Sequence, residues 1–312
     1  MQSAVALIIF NRPDTTARVV AALSQARPPT IHIIADGPRP HKLGEDVLCA
    51  RARAAAENID WPCRIVKHYS DTNLGCQQRV FTGISAVLAE HDRVIVVEDD
   101  CVAHPDFFPF CEEMLETYKD DPRISVVSGD SFACATGGLQ LDSSYVFSRY
   151  PHIWGWATWA RAWNGFDPKL PWWNRGYRGL AELPRLIRHT GSFHEALYWC
   201  MLIEMNFQGR LNSWGLPWVM YNWRSGSLAI YPAVNMVSNI GFGAEATHTG
   251  AATDPVANLP AMAMPWPLRA PSAVAADATI DDWTARTLYS GPRRRCWRRL
   301  RRYLKLGRRA NV

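Results

Sequence analysis

Arg93-Val94-Ile95-Val96-Val97-Glu98-Asp99-Asp100 runs four apolar β-formers straight into three consecutive carboxylates. A short apolar run of this composition reads as a buried strand, and the acids then sit at its carboxyl end. Carboxylates so close together repel unless a cation or a basic partner neutralises them. Oxygen donors at a strand's carboxyl end suit a hard divalent ion, Mn²⁺ or Mg²⁺, that carries substrate phosphates. A turn bearing solvated acids fits the same eight residues.

The residues on either side favour an α/β chain. Downstream, His104-Pro105-Asp106 reads as a helix start, and Phe107, Phe110, Met114 and Leu115 keep helical spacing. Upstream, strand patterns at residues 4–10, 31–35, 63–68 and 93–97 alternate with helix patterns at 14–26, 45–58 and 77–90. This βαβαβαβ order predicts a mainly parallel sheet flanked by helices, with ligands outside the carboxyl ends of the strands. Residues 124–130 read as a strand beside the acid-bearing one, and residues 193–207 as a helix.

At 312 residues, 48% hydrophobic and 20% charged, the chain can bury one large core. Eight scattered cysteines without a Cys-x-x-Cys pair imply reduced thiols and a cytoplasmic protein. Residues 1–10 lack the basic flank of a signal peptide and read as the first buried strand. Ten Lys or Arg and no acid occupy residues 293–309, so the rest of a chain with net charge +5 carries −5. Within that tail Trp297, Leu300, Tyr303 and Leu304 recur at helical spacing. This pattern describes a basic amphipathic segment suited to an anionic membrane surface, with a disordered basic tail or a nucleic-acid contact as the other readings. No nucleic acid is expected as a partner. No apolar run reaches the ~18 residues of a spanning helix, so the protein would lie peripherally on the inner face of the plasma membrane. Of the 14 tryptophans, ten fall between Trp154 and Trp223, where they can stack on sugar rings or fill a core.

The Glu98-Asp99-Asp100 segment and the helix after it resemble GT-A glycosyltransferases of the N-acetylglucosaminyltransferase I type and bacterial transferases of surface polysaccharides. Asp71-Thr72-Asn73-Leu74-Gly75, Trp154-Gly155-Trp156, residues 212–218 and residues 227–248 extend the resemblance over about residues 4–270. It implies a GT-A fold, with a nucleotide-sugar-binding half at 1–130 and an acceptor-binding half at 131–270. A C-terminal extension follows at 271–312. It implies Asp100 as metal ligand, with Glu98 and the late His248 as further ligands, and Asp99 reaching the ribose or a metal-bound water. It also places Arg12 against the uridine, Asp36 at the uracil imide N–H, and Arg79 near the diphosphate. A surface arginine, a common Asp-Gly-Pro turn, a solvated helix arginine and a structural histidine fit Arg12, Asp36, Arg79 and His248 as well.

An inverting transfer needs a base at the acceptor hydroxyl. The Asp-Asp pair of the N-acetylglucosaminyltransferase I type has no counterpart at Tyr198-Trp199-Cys200, which leaves Glu204, then Glu195 and Asp130, as candidates. The expected activity is transfer of a sugar from a nucleoside diphosphate sugar to a glycan or lipid-linked acceptor. A sugar nucleotidyltransferase is the rival enzyme, although Asn11-Arg12-Pro13 offers no Gly-rich, Lys-containing phosphate loop. A non-catalytic carbohydrate-binding or membrane scaffold protein is the rival from another class.

Overall fold

The computed structural model describes residues 1–173, 180–242 and 256–289. Its first half is a regular alternation: β1 (Ala4–Ile9), α1 (Pro13–Ala26), β2 (Thr30–Ala35), α2 (Glu45–Glu57), β3 (Arg64–Tyr69), α3 (Cys76–Glu90) and β4 (Arg93–Glu98). All six residues of β1 are buried, as expected of a central strand covered on both faces. By contrast β3 carries Arg64, Lys67 and His68 and lies at the sheet edge, where charge discourages pairing with a further strand. Pro13 opens α1, the helix position that tolerates a missing N–H.

Beyond the acids the chain adds β5 (Cys101–Ala103), α4 (Phe107–Thr117), β6 (Ile124–Ser128), α5 (Phe132–Gly137), β7 (Tyr145–Ser148), β8 (Trp156–Trp159) and α6 (Ala160–Trp163). Then come α7 (Leu183–Thr190), α8 (Phe193–Phe207), α9 (Gly215–Ser225), β9 (Leu228–Pro232), β10 (Val237–Asn239) and α10 (Ala278–Thr284). Eight strands form one sheet in the order β3-β2-β1-β4-β8-β6-β9-β7. Only β8 and β7 run against the others, so the sheet is mainly parallel. The strand expected beside β4 is one place further out: β8, made by Trp156-Ala157-Thr158-Trp159, is wedged antiparallel between β4 and β6. The acids also do not pass directly into α4. A two-stranded ribbon of β5 and β10 comes first and lays the end of β10 beside Asp100.

Two apolar layers cover the sheet. One, under α1 and α4, gathers Val5, Leu7, Ile33, Ile95 and the phenylalanines of α4; the other, under α3 and α9, gathers Ile34, Ile84, Val96, Trp156 and Trp218. Most of the tryptophan-rich region is core: Trp156 is fully buried and stacks on Trp214 at 5.4 Å, and Trp199 and Trp223 belong to a further cluster around α8 and α9. Residues 276–284 are tied to the same body, with Asp281 accepting from Ser148 Oγ and from the backbone and guanidinium of Arg149. The described cysteines are all free thiols. No helix among the described residues is long and apolar enough to cross a membrane. The basic segment at 293–309 lies outside the described residues.

Candidate active site

Strand order reverses direction between β1 and β4, the place in an open α/β sheet where the loops leaving two neighbouring strands diverge and open a crevice. A cleft of about 430 Å³ lies there, and its lining includes Phe10, Arg12, Asp36, Arg79 and all three acids of the triplet. Five of the sequence-derived candidates besides Glu98 and Asp100 were assigned to nucleotide or metal; of these Arg12, Asp36, Arg79 and Asp99 reach this cleft. His248 lies outside the described residues.

The triplet is held from both sides. The Phe10 N–H donates to Asp99 Oδ2 at 3.0 Å, and Arg12 Nη1 donates to Asp100 Oδ2 at 2.8 Å while standing 3.8 Å from Asp99 Oδ1. On the far side Trp214 Nε1 donates to Glu98 Oε1 at 3.3 Å, and the Cys101 thiol approaches Asp100 Oδ1 at 3.5 Å. Ile240 N–H bonds the Asp100 carbonyl, and Gly241 then passes so near that a Cβ there would stand 2.0 Å from Asp100 Oδ2. Only glycine can occupy that position without moving the acid.

Charge is concentrated here beyond what one arginine offsets. Burial, then Asp100 and Asp99, pushes the Glu98 carboxyl up to about 8; burial and Asp100 push Asp99 up to about 7 despite Arg12 and the Phe10 N–H. A set of oxygen donors that repel one another and retain protons is the donor set a hard divalent cation fits, because the ion would replace those protons and relieve the repulsion.

Asp36, which lines the cleft, also has a structural task. Its Oδ1 accepts from the N–H groups of Gly37 and Leu74, and its Oδ2 from that of Gly75, all at 2.9 Å. Asn73 Nδ2 returns a bond to the Gly37 carbonyl at 2.7 Å. Asp36 thereby fastens the Asn73-Leu74-Gly75 loop over the end of β2, and the cleft wall is built from this clamp. Arg53 braces it from behind, donating to the Asp36 and Ser70 carbonyls. Arg79 is half-buried, with Nη2 on the His68 carbonyl at 3.2 Å and a buried Nε that has no partner among the described residues; desolvation lowers its pKa.

The acids considered for the base lie elsewhere. Glu204 accepts from Trp173 Nε1 at 2.9 Å, and Glu195 accepts from the Tyr150 hydroxyl at 2.8 Å. Both are buried in the aromatic cluster around α8, and neither lines the cleft. Asp130 adjoins it: Oδ2 accepts from the N–H of Trp154, a cleft residue, at 2.9 Å, while Oδ1 is buried without a partner among the described residues. Full burial pushes its pKa up, only partly opposed by the Trp154 N–H.

Sequence reasoning missed a third basic group at the cleft, beside Arg12 and Arg79. Arg39 lines it, pairs with buried Glu45 through its guanidinium, and lies 5.4 Å over the Phe10 ring; Asn11 Nδ2 binds the same glutamate at 3.0 Å. Glu45 sits in the first turn of α2, a common place for a helix acid, and nothing in local spacing ties it to residues 11 and 39.

No known family matches the sequence, and no curated protein is significantly similar to it. Among solved structures it is similar to TarS of S. aureus, at 12% identity over 41% of this chain and 21% of that one, with a TM-score of 0.28. A mannosyltransferase from Pyrobaculum calidifontis in complex with GDP-Man and Mn²⁺ matches at 9% identity over 72% of this chain and 70% of that one, with a TM-score of 0.37. A UDP-glucose pyrophosphorylase complexed with UDP-glucose matches at 10% identity over 47% and 63%, with a TM-score of 0.26. The chain thus spans about a fifth of the S. aureus protein's length. Likenesses this slight carry no argument, and the architecture rests on strand order and register.

Proposed function

We propose that the protein is a metal-dependent glycosyltransferase that uses a nucleoside diphosphate sugar. One observation supports this above the rest: three mutually repelling carboxylates from the end of β4 face Arg12 from the end of β1 across the switch-point cleft. A protein that only bound sugar or a membrane would have no use for that arrangement, since the acids destabilise one another unless a cation joins them.

In this reading Asp100, assisted by Glu98, holds Mn²⁺ or Mg²⁺, which supplies charge neutralisation for a departing diphosphate. Asp99, fixed by the Phe10 N–H, presents its outer oxygen to the nucleotide. Arg12, now on Asp100, would turn to the diphosphate once a metal neutralises the acids, so the same cation would serve the acids in one state and the phosphates in another. The clamp of Asp36 on the Asn73-Leu74-Gly75 loop, with Arg79 behind it, shapes the wall against which the base would lie. Trp154 and Ile153 line the opposite side, suited to a sugar face. We assign no base to the acceptor hydroxyl. The acceptor we favour is a glycan or lipid-linked sugar, brought near by a basic tail on an anionic membrane. Screening nucleoside diphosphate sugars for hydrolysis that requires Mn²⁺ tests the reading. Release of free sugar from one donor class is expected, whereas pyrophosphate-dependent nucleotide synthesis would favour the nucleotidyltransferase.

A further inference from the structure

A second group of metal-ligating side chains lies away from the cleft. His32, on β2 and fully buried, projects onto the face of the sheet that α3 covers, as does Ile34, whose side chain abuts Gly83 of α3. At the end of α3 stand its last residue Glu90 and the capping residue His91. His32 Nε2 lies 2.9 Å from His91 Nε2, and one nitrogen of each histidine and a Glu90 carboxylate oxygen all fall within 4.8 Å of one another. The other ring nitrogen of His32, Nδ1, lies 2.9 Å from His68 Nε2.

We propose that His32, His91 and Glu90 form a binding site for a zinc-class transition-metal ion, separate from the divalent site of the cleft. Two imidazoles and one carboxylate are a donor set that such an ion takes with a water completing the shell, whereas Mg²⁺ prefers oxygen alone. One proton shift, on His91, prepares the site. If His32 Nδ1–H donates to His68 Nε2, the ring is fixed in the tautomer that leaves Nε2 bare and aimed at His91, the role outer partners play for metal-bound histidines. His91 then needs only to carry its proton on Nδ1. Two nitrogens on one zinc lie about 3.4 Å apart, so the pair must open by about 0.5 Å, and partly exposed His91, at a helix end, can move that far. The C-terminus of α3 places its unpaired carbonyls beside the site, which favours a cation there. Among the described residues the ion-pair partner of Glu90 is an exposed arginine, Arg64, at 3.8 Å, a weak competitor for its carboxylate. An ion held here would tie β2 to the connection between α3 and β4, and so brace the strand that delivers the acid triplet.

Equilibrium dialysis of the full chain against Zn²⁺, with Co²⁺ spectroscopy, tests this. Asp100→Asn removes the principal cleft ligand and serves as the background. On it we expect one tightly held zinc and, with Co²⁺, the visible absorption of a four-coordinate ion with nitrogen donors. His91→Ala and Glu90→Gln change residues that are not buried, so they should fold, and each should abolish the Co²⁺ band. His68→Phe should weaken zinc by about 10-fold or more, as loss of an outer partner does. No retained zinc in the Asp100→Asn background, or retention and spectrum unchanged by His91→Ala, would overturn the proposal and leave the three histidines as a hydrogen-bonded packing element.

Discussion

Asp100 receives Arg12, the thiol of its neighbour Cys101 and the close pass of Gly241, so two distant segments and its own fix its carboxylate position. Replacing it with Asn keeps the volume and removes the charge. Turnover should fall by about 100-fold or more, because Lewis-acid stabilisation of a leaving group is worth several kcal/mol, while circular dichroism and thermal midpoint remain near wild type. Retained metal-dependent activity would remove Asp100 from the metal. Glu98 makes a prediction of opposite sign for stability. Its pKa rises on folding from 4.5 to about 8, so the native state holds a proton that the unfolded chain gives up, and stability is lost as pH climbs through that range. Asp99, raised to about 7, acts in the same direction. His32, His152 and His189, lowered from 6.5 to about 4, about 3 and about 4, cost stability only as pH falls below about 6.5, so across pH 6.5 to 8 the slope comes from carboxyls raised by burial, Glu98 and Asp99 among them. Metal-free protein should therefore melt progressively lower across that window. Glu98→Gln, which can still accept from Trp214, should flatten the slope and raise the midpoint at pH 8, and equal slopes for the two proteins would contradict the assigned ionisation.

At the level of elements, the first four strands and their helices were legible because each has one clear period. Ala4–Ile9 and Arg93–Glu98 are continuous apolar runs, and Pro13 and Gly75 mark helix starts. The carboxyl ends of those strands were therefore legible too, and with them Arg12, Asp36, Arg79 and the triplet as residues of one cleft. What lay hidden depended on long-range pairing. The segment Trp156-Ala157-Thr158-Trp159 has no local signal that it will separate β4 from β6, and residues 237–239 look like a loop until β5 supplies a partner. Glu204 and Glu195 are acids on an apolar helix, a pattern shared by buried catalytic carboxylates and by hydrogen-bond partners of buried Trp and Tyr; only tertiary contacts separate the two. The β5–β10 ribbon gives an element-scale test. Gly241→Ala should displace Asp100 and weaken Mn²⁺ binding about as much as Asp100→Asn does, with little effect on thermal stability, since residue 241 is partly exposed. In contrast Gly37→Ala sets a methyl group 2.6 Å from the Thr72 backbone. It should destabilise the fold by about 1–3 kcal/mol, as overpacking does, measurable by urea unfolding.

For the whole molecule, the strand order β3-β2-β1-β4 places every cleft arginine and acid at one end of the sheet, while the three histidines gather under the other end of α3. The densest basic charge of the sequence, ten Lys or Arg at residues 293–309, lies outside the described residues. Deleting residues 293–312 should release the protein from anionic vesicles in a sedimentation assay and leave hydrolysis of a soluble donor unchanged; undiminished sedimentation would assign the membrane contact elsewhere. The account as a whole depends on the triplet taking a divalent ion together with a diphosphate. Isothermal titration of wild-type and Asp100→Asn protein with UDP, with and without Mn²⁺, measures this most directly, and GDP extends it to the other common donor class. Binding that requires Mn²⁺ and disappears in the variant is the predicted result. Nucleotide binding indifferent to both the metal and Asp100, or absent for every nucleoside diphosphate tried, would contradict it.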